Sequence, residues 1–140
     1  MIADYEHDVW LVDLASLANP RLVPSAVATA LGLEMRTEDP YSGLVAALGT
    51  SRMLLLDNCE HVIDATADLA TAVLGGTSGV NILATSREPL GVPGERVHRL
   101  GPLGSPLPSP GLMAAQAAAF PAVQLFVERV SSFVSCSGAQ

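Results

Sequence analysis

Three short apolar runs constrain this chain more than any other feature: VWLVDL from Val9, MLLLD from Met53 and VNILAT from Val80. Val9 to Leu14 reads as a buried strand, and Val80 to Thr85 as another. Met53 to Asp57 has no polar break, as expected of a strand covered on both faces of a parallel sheet.

The segments between the runs have helical spacing. Asn19-Pro20 supplies an N-cap followed by proline at the first helical position. Leu22, Val23, Ala26, Val27, Ala30 and Leu31 then share one face, and Gly32 can end the helix. Glu34 to Pro40 is polar and loop-like. Ser42 to Leu48 is a second, short helix. Val62 to Leu74 is helical by the spacing of Val62, Ala65, Leu69, Ala72 and Val73, and Gly75 to Gly79 is a turn. Glu88-Pro89-Leu90-Gly91 breaks the third strand's pattern, and Arg96 to Leu100 reads as a fourth strand. The Pro/Gly/Ala-rich stretch 101–120 reads as a linker. Pro121 to Val134 is a last helix with Val123, Phe126, Val127 and Val130 on one face, and 135–140 reads as a frayed tail. Strand, helix, strand, helix, strand predicts an α/β fold: a parallel sheet flanked by helices. Ligands of such sheets bind outside the carboxyl ends of the strands. Asp57 and Thr85-Ser86-Arg87 both stand at such ends.

Composition narrows the function. The 140 residues suffice for one domain, and at 49% hydrophobic and 15% charged they are not a disordered acidic chain. The net charge is −7, with seven arginines and no lysine. Direct contact with nucleic-acid phosphates or an anionic membrane is therefore not expected. No apolar run approaches the ~20 residues of a membrane span, and MIADYEHDVW lacks the basic and apolar regions of a signal peptide. A cytoplasmic location is expected, with Cys59 and Cys136 as free thiols.

The polar end of the second run, DNCEH, admits several readings. Asp57 is a magnesium ligand of a nucleotide site, or a carboxylate capping the next helix. Arg87 at the neighbouring strand end reads a γ-phosphate through paired hydrogen bonds, or makes a salt bridge to Glu88 or Glu60. Glu60 is a base that orients an attacking water, or serves only the helix dipole. A thiolate–imidazole pair from Cys59 and His61 is disfavoured, because positions i and i+2 do not face each other on a helix. Two separated cysteines and three scattered histidines show no zinc-ligand spacing. His7 and His98 are expected on solvated or half-buried surface. A phosphorylated receiver domain wants a lysine after its last strand, and there is none.

DVWLVDLASLANPRLVPSAVATALGL, MLLLDNCEHV, NILATSREPLGVPGERVHRLGPL and PAVQLFVERV together resemble a known family. It is the signal-transducing ATPase domain, the STAND class of P-loop NTPases, of LuxR- and AfsR-type bacterial transcriptional regulators. The resemblance spans about Asp8 to Val130. It implies that Leu54, Leu55, Leu56 and Asp57 are a Walker B strand, with Asp57 associated with Mg²⁺ through water. It implies that Thr85, Ser86 and Arg87 form a sensor strand end facing ATP, and that Glu60 is the acidic position after Walker B. Residues 8–100 would be the partial NTPase core, and Pro121 onward the helix leading toward the lid.

The 140 residues depart from the family most in one respect: they contain no GxxxxGK[ST]. That loop's backbone N–H groups and lysine supply most of a triphosphate's grip. The expected fold is therefore a P-loop-NTPase-like core without its first strand and P-loop. ATP binding by this chain alone is expected to be weak or absent, and hydrolysis negligible. The expected partners are other domains or subunits of a transcriptional regulator. Unpaired sheet edges could drive self-association. The rival reading is a non-catalytic interaction fragment, or half of a split gene, that pairs with a P-loop-bearing partner.

Overall fold

A computed structural model describes residues 9–34, 39–50 and 53–136. His7, part of the loop expected over Glu34–Pro40 and the tail beyond residue 136 lie outside the described residues. The chain divides into two units, Met1–Val97 and His98–Gln140.

The first unit is built on a three-stranded parallel sheet in the order β1-β2-β3. The strands are β1 (Val9–Asp13), β2 (Met53–Asp57) and β3 (Asn81–Ala84). All three apolar runs are strands, and the α/β reading holds. Between β1 and β2 lie α1 (Val23–Ala30) and α2 (Ser42–Leu48), and between β2 and β3 lies α3 (Ile63–Gly76).

Local chemistry sets the helix ends. Asn19 Oδ1 accepts the Arg21 N–H at 3.0 Å, opening a 3-10 turn, Pro20–Leu22, that runs into α1. The helix closes at Gly32, whose φ of 69° is left-handed. Gly32 N–H bonds to Thr29 O and Leu33 N–H to Ala28 O, the paired bonds of a Schellman ending. Asp39 Oδ1 accepts the N–H groups of Tyr41 and Ser42 at 3.0 and 3.2 Å, which caps the start of α2. These bonds hold the Asp39 carboxyl below its ordinary pKa.

The register aligns Trp10, Leu54 and Ile82 in one row and Leu11, Leu55 and Leu83 in the next. Side chains alternate across a sheet, so the two rows face opposite ways. Val12, Leu54 and Leu56 are buried in one core with Val23 and Val27 of α1, Leu44 and Leu48 of α2, and Leu69 and Val73 of α3. Each fully buried leucine contributes about 1.5–3 kcal/mol relative to exposure. The only buried polar residue among those described, Thr66, donates its hydroxyl to Val62 O at 2.9 Å.

The other face is open. Leu11 is 65% and Leu83 53% exposed. This corrects the expectation of cover on both faces. The reason is topological. Both crossovers step the same way along the sheet, and right-handed connections then place their helices on the same side.

Arg96 to Leu100 is not a strand. The segment has no ladder partner among the described residues, and Leu100 is 87% exposed. A stretch of mixed polar and apolar residues becomes a strand only when another backbone takes its hydrogen bonds. The loop before it has its own closure: both Glu95 carboxylate oxygens accept backbone N–H groups, from Leu90 at 2.9 Å and Gly91 at 2.8 Å. A cleft of about 440 Å³ runs beside edge strand β3, lined by Val80, Ile82, Ala84, Leu90, Val92 and Arg96 among others.

In the second unit an extended stretch leads to the short α4 (Ala114–Ala117) and to α5 (Pro121–Cys136). Ala122 N–H bonds to Gly104 O at 3.1 Å, tying the stretch to the start of α5. On α5, Phe126, Val127 and Val130 are 68%, 53% and 45% exposed, so the apolar face read from their spacing is largely uncovered.

Candidate functional site: the carboxyl ends of the strands

Three strand ends meet in one hydrogen-bonded group. Asp13 and Asp57 are register partners at the ends of β1 and β2. Two like charges placed directly opposite repel. Here each carboxylate has its own donor. Asn58 Nδ2 donates to Asp13 Oδ1 at 3.0 Å, and the Thr85 hydroxyl donates to Asp57 Oδ1. The Asn58 backbone N–H donates in turn to Thr85 Oγ1 at 3.1 Å. Asp13 Oδ1 also accepts the Ala15 N–H at 2.9 Å. The Ala15 bond first and the Asn58 bond second hold the Asp13 carboxyl below its ordinary pKa.

Backbone bonds fasten the same ends. Leu14 N–H bonds to Asp57 O, Thr85 N–H to Leu56 O and Cys59 N–H to Thr85 O, at 2.9, 2.9 and 3.0 Å. Asn58 sits at φ 59°, ψ 51°, the one left-handed residue other than glycine among those described. Asparagine tolerates this region better than most residues. A 3-10 turn, Cys59–His61, then leads toward α3.

The sequence candidates divide into groups. Asp57 and Thr85 are in direct contact. Arg87 and Glu60 form a pair of their own, Nε to Oε1 at 3.4 Å, which is the salt-bridge alternative for the arginine. Ser86 is engaged locally, its Oγ accepting the Glu88 N–H at 3.3 Å. Cys59 and His61 are not brought together. The Cys59 thiol is buried and donates to Leu56 O at 3.4 Å, whereas His61 is exposed. Burial pushes the Cys59 pKa up to about 11, the opposite of an activated thiolate. His98 is exposed.

Asp13 and Asn58 were not singled out by sequence reasoning. The available signals were the aspartate in VWLVDL, at the same strand position as Asp57, and an asparagine directly after a strand.

Among the described residues no group of three or more His, Cys, Asp or Glu side chains could hold a metal ion. A hard divalent cation at Asp57 would therefore draw on one carboxylate, water and the oxygens of a phosphate ligand, which is a normal way to hold Mg²⁺. Asp57 suits that role: Oδ1 accepts the Thr85 hydroxyl, which tethers the carboxylate and leaves it further lone pairs for water.

Fold and site define a parallel α/β domain with a polar, carboxylate-bearing cluster at its strand ends. Its relatives are bacterial. The chain is 42% identical over 91 residues, 64% of its length, to a protein of Mycobacterium tuberculosis named "putative HTH-type transcriptional regulator", and equally so to one of Mycobacterium bovis. It is 33% identical over 102 residues, 71% of its length, to an uncharacterized protein of M. tuberculosis. The chain spans 10% of the length of the named regulators and 26% of that of the uncharacterized protein. It is thus a distant homologue of one part of the much longer proteins that bear that name. No family model and no solved structure matches it. No helix among the described residues is long and apolar enough to cross a membrane.

Proposed function

We propose that residues 9–97 are the Walker B and sensor half of an ATP-dependent switch inside a bacterial transcriptional regulator. The supporting observation is the Asp57–Thr85 contact, a carboxylate at the tip of the central parallel strand held by a hydroxyl at the tip of its neighbour. In this reading Asp57 orders Mg²⁺ through water. Arg87 leaves Glu60 to meet a γ-phosphate, for which its 85% exposed side chain is free to move. Glu60, released from Arg87, then orients a water. Bound ATP–Mg²⁺ supplies the charge that these groups sense, and nucleotide state sets domain packing in the regulator. The net charge of −7 over the 140 residues keeps the chain off DNA itself.

The grip on the triphosphate belongs to a glycine-rich loop and lysine that these 140 residues do not contain. Alone, they bind ATP–Mg²⁺ weakly or not at all. Calorimetric titration tests this: a Kd tighter than about 10 µM, near −7 kcal/mol, would overturn the weak-binding claim. Asp57→Ala then tests the site. Magnesium dependence that survives the substitution would remove Asp57 from it.

The open sheet face favours a second reading, in which the chain acts by pairing with a P-loop-bearing segment. A strand added at the β3 edge and returning to β1 by a right-handed connection would carry its helix across Leu11, Leu55 and Leu83. Mixing the chain with such a segment should bury that face. Unchanged hydrogen–deuterium exchange at the Ile82 and Ala84 amides, whose N–H groups face the outer edge of β3, would argue against the pairing.

A further inference from the structure

We infer that Asp13 and Asn58 are positioning residues that set the orientation of the Asp57 carboxylate toward a divalent cation. The inference rests on the proposal that Asp57 takes such a cation, and it adds how that carboxylate is aimed.

The bonds run in one direction. The Asn58 amide donates to Asp13 Oδ1, and the Asn58 N–H donates to Thr85 Oγ1. A hydroxyl whose lone pair is engaged this way has its single proton left for Asp57 Oδ1, where the structure places it. Oδ1 is thereby tethered, which restricts rotation of the carboxylate and leaves Oδ2 to meet a cation-bound water. The geometry depends on Asn58 holding its left-handed conformation, because that conformation points its N–H at Thr85. Asp13 secures it by holding the side-chain amide, and Asp13 is itself held by the Ala15 N–H. Thus β1 acts on a carboxylate of β2 without touching the ligand. Partners that orient a metal ligand matter in this way because a carboxylate free to rotate loses part of its affinity to its own disorder.

The test uses the 140-residue chain, ¹⁵N-labelled, titrated with Mn²⁺ alone, whose paramagnetic broadening reads binding even in the millimolar range and does not depend on a grip on ATP. The readout is the Mn²⁺ concentration that half-broadens the amide signals of Asp57, Asn58 and Thr85. Asn58→Gly can still adopt the left-handed backbone but loses the amide by which Asp13 holds it there, so the N–H is no longer fixed on Thr85. It should need about 10-fold more Mn²⁺. Asp13→Ala should behave like it. Asp13→Asn, whose amide oxygen still accepts both N–H groups, should stay near the parent chain. If Asp57→Ala abolishes selective broadening while Asn58→Gly and Asp13→Ala titrate like the parent, the positioning role is wrong and the cation site stands. If the parent chain broadens no more selectively than Asp57→Ala, the cation reading falls and the inference with it. Should Asp13→Ala fail to fold, Asn58→Gly carries the decision.

Discussion

The Arg87 guanidinium lies 3.4 Å from the Glu60 carboxylate, joining the loop after β3 to the turn after β2. With the arginine 85% exposed, the pair is screened by water and salt. Glu60→Gln should therefore lower stability by under about 1 kcal/mol in urea titrations, and by less at high salt. A larger, salt-insensitive loss would mean that Glu60 anchors the turn. An arginine so weakly held is available to another anion.

The two sides of the sheet should respond oppositely to truncation. Leu56 is 1% exposed, and Leu56→Ala should cost about 2–5 kcal/mol. Leu11 is 65% exposed, and Leu11→Ser should change stability by about 0.5 kcal/mol or less while lowering the binding of an apolar dye. Equal losses at both positions would show that the open face is covered in solution.

Cys59 should resist alkylation in the folded chain at pH 8 and react once the chain is denatured, as read by mass spectrometry of its peptide. Its pKa is raised by burial from the ordinary 9.0 to about 11. The sign follows from proton counting. Between about pH 9 and 11 the unfolded thiol has lost its proton and the folded one keeps it, so stability falls as pH rises through that window. Cys59→Ala should flatten this part of the pH profile.

Gly76 marks a close approach of α3 to α2. A Cβ there would sit 2.5 Å from Val45 Cγ1 and 3.0 Å from Cγ2. Gly76→Ala should destabilise by about 1–3 kcal/mol. Adding Val45→Ala should recover part of that loss, giving a non-zero coupling energy in a double-mutant cycle. Strict additivity would mean that the helices separate without strain.

Asp13 gives a pH-dependent check on its link to Asn58. Its depressed pKa means that its contribution to stability is present above the ordinary 3.8 and is lost as pH falls through the folded value. Asn58→Gly should move the Asp13 pKa partway back toward 3.8 in a carbon-detected titration, the Ala15 bond accounting for what remains. No movement would mean that the amide contact is absent in solution.

Local chemistry made much of this molecule legible. Unbroken apolar runs became the strands, Asn19-Pro20 opened a helical turn, Gly32 closed a helix, and Asp57 and Thr85 stood at strand ends as their positions required. These are properties of short stretches, where covalent geometry and burial of neighbouring side chains decide the outcome. What the sequence did not disclose depends on which segment lies beside which. Arg96–Leu100 has strand-like composition but no backbone to pair with. Leu11 and Leu83 look as buried as Leu54 until the common handedness of both crossovers leaves their face open. Asn58 reaches Asp13 across 45 positions, a contact that exists only because two parallel strands end in register. Pairing and handedness are long-range choices, and tertiary structure alone made them.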